Sequence, residues 1–149
     1  MKHHLAQINI AHCKGPLDSP VMRDFVELLD AMNALADNSS GFVWRWRTPA
    51  AGDPVAPVHP DPLVLPNLSV WTTVEALHQY AYRSSHAYVF RNRSKWFEEL
   101  AGPHLALWWI EAGTTPTIAE GFRRLVILAE SGPTPAAFTF KQPFPAPDA

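Results

Sequence analysis

The stretch Gly102-Pro-His-Leu-Ala-Leu-Trp-Trp-Ile110 decides the fold: a glycine-proline break is followed by an apolar run with two adjacent tryptophans. Neighbours along a strand point to opposite faces, so Trp108 and Trp109 are both useful only if both faces of their sheet are covered. One cover is expected from the chain's own helices and the other from a second subunit. Leu105 to Ile110 then reads as the last strand of a sheet.

Upstream, His4 to Ala11 alternates, with Leu5, Gln7 and Asn9 on one side and Ala6, Ile8 and Ile10 on the other, which predicts a first strand. Gly15 to Pro20 supplies a turn, a cap at Asp18 or Ser19 and a proline at the first helical position. Phe25, Leu28, Leu29, Met32 and Leu35 recur at helical spacing, so a helix is expected over Pro20 to Ala36. Phe42 to Arg47 alternates again and reads as a strand. Thr48 to Pro66 carries six prolines and reads as a loop. Asn67 to Trp71 is a third strand. A helical segment from Val74 to about Phe97 follows, with a break expected near Arg83 to His86. Thr117 to Glu130 is a last amphipathic helix, stopped by Gly132 and Pro133.

The order strand, helix, strand, strand, helix, strand is the split unit of a ferredoxin-like α+β fold: a four-stranded antiparallel sheet with helices on one face. The other face is expected to close by homodimerisation into an α/β barrel. One domain over residues 1–140 and a proline-rich tail over 141–149 are expected.

Composition narrows the function. The 149 residues are 47% hydrophobic, enough for one full core, and the formal net charge of −2 gives no attraction for nucleic acid or anionic lipid. The single cysteine, Cys13, excludes an internal disulfide and reads as a small, partly buried residue rather than a reactive thiol beside His12. No signal peptide or membrane span is visible, so cytoplasmic residence is expected. No two histidines sit at i, i+4, and Glu75 with His78 makes one Glu-x-x-His where a di-iron bundle needs two, so no metal is expected. No nucleophile elbow or phosphate loop occurs, which sets aside hydrolase and nucleotide-binding readings.

Leu5 to Ile10, Asn67 to Trp71, Tyr82-Arg-Ser-Ser-His86, Lys95-Trp-Phe97 and Gly102 to Trp109 together resemble the DUF3291 family of uncharacterised bacterial proteins. That family resembles the dimeric α/β-barrel superfamily, which includes antibiotic-biosynthesis and haem-degrading monooxygenases. The resemblance implies the fold and leaves the activity open. Haem-degrading members pair an Asn on the first strand, a Trp near the third and a His on the next helix, and Asn9, Trp71 and His86 stand in that order. Haem is therefore the alternative to a cofactor-free protein.

The candidate site follows from strand parity. If Ala6, Ile8 and Ile10 face helices, Gln7 and Asn9 face the barrel interior with Asn67, Ser69 and Trp71. Amides, a hydroxyl and an indole in an enclosed space can orient a small polar-aromatic ligand. His78, Tyr82 and His86 share a helical stripe, and His86 is the candidate acid or base because a histidine titrates near neutrality. His104 stands at the start of the last strand, at the barrel rim. Arg45 projects inward and can pair with an anionic ligand if Phe42, Trp44 and Trp46 pack under helices; the opposite facing remains open. Trp71 and Trp108 are the expected walls. Arg83, Arg91, Arg93 and Lys95 do not share a helix face and read as solvated charge. Two readings result: a small-molecule-binding barrel acting as a cofactor-independent monooxygenase or related enzyme on an aromatic or polyketide-like substrate, or a non-catalytic binding or assembly protein.

Overall fold

Alternation along the first strand organises one antiparallel sheet around it. The computed structural model describes residues 2–47, 59–83 and 86–147. β1 (His3–Cys13) is central, with β3 (Val64–Trp71) on one side and β5 (Leu105–Glu111) on the other. β2 (Phe42–Arg45) joins the outer side of β3, giving the order β2-β3-β1-β5. A fifth, two-residue strand, β4 (Phe97–Glu98), pairs with His12 and Cys13 and continues the line of β5 along β1. The α+β class and the strand order of the ferredoxin-like unit are thus those expected. The fifth strand was not expected, because two residues carry no periodicity to read.

β3 begins three residues before the expected Asn67. Pro66 lies inside it, opposite Ile10. Ile10 turns its N–H to the His104 carbonyl, at 2.9 Å, so Ile10 and Pro66 form a non-hydrogen-bonded pair and no ladder bond needs an N–H at Pro66. Residues 48–58 of the expected loop lie outside the described residues.

α1 (Arg23–Asp37) follows a short 3-10 turn that starts at Pro20. α2 (Val74–Arg83) starts where Thr73 Oγ1 accepts the Ala76 N–H at 3.1 Å, and α3 (His86–Arg91) follows; residues 84 and 85, where a break is expected, lie outside the described residues. α4 (Ile118–Ser131) is capped by Thr117, whose hydroxyl accepts the Glu120 N–H, and ends at Gly132 with φ 69°, which a glycine adopts without a Cβ clash.

The helices occupy both faces of the sheet, which corrects the expectation of a single helical face. Leu5, Trp71 and Leu107 pack with Leu77 of α2 and Ala36 of α1. Ala6, Ile8, Leu68, Ala106 and Trp108, on the opposite face, pack with Leu125 and Leu128 of α4. Helical spacing located α4 and its apolar stripe but carries no information on which face receives it. Trp108 and Trp109 are covered on their respective sides by α4 and by the tail, where Trp109 Nε1 donates to the Phe144 carbonyl at 2.9 Å. Each face of the sheet thus carries helices of this chain, α1 and α2 on the side of Leu5 and Trp71 and α4 on the side of Ile8 and Trp108.

The tail also extends the sheet. Phe138 exchanges both backbone hydrogen bonds with Leu107, each 2.8 Å, and its side chain is fully buried.

Candidate functional site

On the face under α1 to α3, the pairs Gln7–Ser69 and Asn9–Asn67 place four polar side chains side by side. A buried polar group costs free energy unless it is hydrogen-bonded, and these form one network. Gln7 Nε2 donates to Asn67 Oδ1 and to Ser69 Oγ, both at 2.8 Å. Asn9 Nδ2 donates to Gln7 Oε1 at 3.0 Å, and Trp71 Nε1 donates to Ser69 Oγ at 2.9 Å. Gln7 is 2% and Ser69 6% exposed, whereas Asn67 is open to solvent.

A cavity of about 120 Å³ lies over this floor. Its roof is made by Leu28, Leu29, Met32 and Asn33 of α1, Leu77 and Tyr80 of α2, and Val89 of α3, with Phe140 of the tail at one side. Tyr80 donates its hydroxyl to the Met32 carbonyl at 3.2 Å, tying α2 to α1 above the floor. Burial pushes the Tyr80 hydroxyl up to about 12, so it stays protonated through the physiological range. No carboxylate, ammonium or guanidinium lines the cavity among the described residues.

A family model, a domain of unknown function called DUF3291, matches residues 4–149. The chain belongs to DUF3291. No curated protein matches it. Among solved structures, it is similar to the crystal structure of NE2512, a protein of unknown function from Nitrosomonas europaea. The TM-score is 0.50 at 10% identity, covering 78% of this chain and 95% of that one, a likeness of fold alone.

In this DUF3291 chain the structure brings together Gln7, Asn9, Asn67 and Ser69 as parity implied, with Trp71 anchored beneath them. Their face is roofed by α1 to α3 of the same chain. Trp108 is on the other face, packed under α4, and cannot be a wall of the same cavity as Trp71. His104 is exposed and borders a separate cleft with Arg91, Arg93, Glu98 and Glu99. Tyr82 is 43% exposed and stacks on His78, with ring centroids 4.7 Å apart, outside the cavity. The side chain of His86 lies outside the described residues.

The open question of the β2 facing is answered by register. Trp44 opposes Val70, and Trp44 and Trp46 pack on the α4 side, while Arg45 opposes Ser69 on the cavity side. Its guanidinium is engaged by Asp37 at the end of α1, with Nε 2.8 Å from Oδ1 and Nη2 3.3 Å from Oδ2. The hydrogen bond from Arg45 holds the Asp37 carboxyl below the usual carboxylate range.

Two features escaped the sequence reading. Tyr80 and Phe140 reach the cavity, and nothing in their local pattern marks them. His12 Nε2 lies 2.8 Å from Asp61 Oδ2, and Asp61 Oδ1 accepts the Leu63 N–H at 2.9 Å. The Leu63 N–H first, then His12, holds the Asp61 carboxyl low. Cys13, beside His12 in sequence, is on the other face among Phe25 and Trp96, where burial pushes its thiol up and away from reactivity.

Among the described residues no helix is long and apolar enough to cross a membrane, and no group of three or more His, Cys, Asp or Glu could hold a metal ion. Haem does not fit here: the cavity is far smaller than a porphyrin, Asn9 is bonded to Gln7, and Trp71 is packed between Phe42 and Tyr80.

Proposed function

We propose that this chain binds a small uncharged organic molecule in the cavity between the Gln7–Ser69 floor and α1 and α2. One observation carries the reading: a hydrogen-bonded patch of neutral amides and a hydroxyl, buried at Gln7 and Ser69, forms the floor of a cavity whose roof is mostly apolar. Apolar walls with a few convergent polar groups are the ordinary construction of a ligand site. A core built only for stability fills such space with aliphatic side chains, because packing loses contacts at every void.

Size restricts the ligand. An apolar cavity of roughly 150 Å³ holds benzene, so about 120 Å³ takes a molecule of one small ring. A polyketide-like substrate is too large for it. Binding is the function that this lining supports. Elements of one chain line the cavity, so the reading requires no second subunit.

The test is a screen of small neutral fragments by thermal shift, against the unaltered chain and Leu29→Trp, which fills the cavity. Ligands raise the melting temperature of a protein that binds them by mass action. Stabilisation lost in Leu29→Trp supports the reading. Equal stabilisation of both proteins places binding elsewhere and removes it.

A further inference from the structure

We propose that the molecule taken up by this cavity carries a carbonyl oxygen, which docks on the Ser69 hydroxyl and the Asn67 amide nitrogen. The inference rests on the cavity being a binding site and adds the chemical class of what enters it.

The direction of the hydrogen bonds carries the argument. An indole N–H can only donate, so Trp71 Nε1, 2.9 Å away, fills one acceptor position of Ser69 Oγ. Gln7 Nε2, at 2.8 Å, fills the other. A serine hydroxyl has two acceptor positions and one hydrogen. With both positions taken, Ser69 has only its hydrogen to offer, and it offers it from a side chain that lines the cavity and is 6% exposed. Asn67 Oδ1 receives the second hydrogen of Gln7 Nε2, and the Asn67 NH2 group makes no bond within the floor. Asn9 keeps its carbonyl oxygen, because its Nδ2 is the atom bonded to Gln7, but Ser69 and the Asn67 NH2 hold donors, and the group that meets those two is an acceptor.

Charge and size select among acceptors. A carboxylate would leave its hydration shell with no cationic side chain among the described lining residues to meet it. Arg45, on the same face, is already engaged by Asp37. A ketone, aldehyde, lactone or amide oxygen is neutral and accepts two hydrogen bonds, which matches Ser69 and Asn67 together. The apolar remainder of the molecule meets Leu29, Met32 and Val89.

The experiment is an NMR titration of the intact chain with cyclopentanone, methylcyclopentane and cyclopentanecarboxylate. Cyclopentanone should bind roughly tenfold more tightly than methylcyclopentane, as one net hydrogen bond implies, and the carboxylate should bind more weakly than either. Ser69→Ala should weaken the ketone several-fold and leave the hydrocarbon unchanged, with Asn67→Leu as a second variant should Ser69→Ala not fold. Equal affinity of ketone and hydrocarbon, or tightest binding of the carboxylate, overturns the carbonyl assignment while the cavity remains a binding site. Failure of every probe overturns both.

Discussion

Gly121 of α4 stands directly over Ile8 of β1: a Cβ at Gly121 would lie 2.5 Å from Ile8 Cδ1 and 3.2 Å from Ile8 Cβ. The absence of a side chain at one position lets α4 settle onto the sheet face that Ile8 occupies. Gly121→Ala gains about 1 kcal/mol of helix propensity but forces an overpacking that costs roughly 1–3 kcal/mol. Net destabilisation is expected in urea unfolding, and Ile8→Val, which removes the Cδ1 atom, should relieve part of it in the double variant. Additive effects of the two substitutions would show that the contact does not control the docking.

Gln7 is the hub of the cavity floor, using both amide hydrogens and its oxygen. Gln7→Leu keeps the volume but leaves the Asn9 amide without its acceptor and Ser69 without one donor. A loss of about 1–3 kcal/mol is expected, the usual consequence of stranding buried polar partners. Chemical denaturation at neutral pH measures it, and a change under half a unit of that range would mean that water replaces Gln7 without penalty.

Tyr80, one of three tyrosines, is pushed up to about 12 by burial. Because the neutral phenol is the form the fold favours, its contribution to stability is present below about pH 10, the unfolded value, and is lost as pH rises through about 12. Tyrosinate absorbance should show one late ionisation, absent in Tyr80→Phe. Ionisation of all three tyrosines near the ordinary value would contradict the burial.

Asp61 and Asp37 both have lowered carboxyl values, through the Leu63 N–H and His12 in one case and Arg45 in the other. Their contributions are present above the unfolded value near pH 4 and disappear as pH falls through the folded ones. Both groups are exposed enough for solvent to screen the pairs. The double variant Asp37→Asn, Asp61→Asn should therefore lose less stability than the unaltered chain between pH 5 and pH 2, followed by circular dichroism. An identical acid limb would assign acid sensitivity to other carboxylates.

Phe138→Ala should cost about 3–5 kcal/mol, the usual range for emptying a buried aromatic site. Calorimetry would register a large fall in melting temperature. An unchanged value would make the tail dispensable.

Much of this architecture was readable because strand alternation and helical spacing are local. Gln7, Asn9, Asn67 and Ser69 shared a face by parity alone, and the register placed them together as parity implied. What parity lacks is the identity of the cover. The stripe of Ile118, Phe122, Leu125 and Leu128 announced α4 yet not the face it takes, so Trp108 was paired with Trp71 across a sheet that separates them. Tyr80 and Phe140 enter the cavity through tertiary placement, which no local pattern encodes. Pro66 reads as loop because proline opposes ladder bonding. It sits in β3 at a position whose bonding direction makes no demand on it.

The two backbone bonds between Phe138 and Leu107 have a consequence for the molecule in company. They fall at the centre of the outer side of β5, which would otherwise offer unpaired groups to any passing strand. Pro143, Pro145 and Pro147, further along the same tail, have no N–H with which to extend the ladder. The chain thus covers the middle of this edge itself, and removing the segment that holds Phe138 would expose it to edge-on pairing.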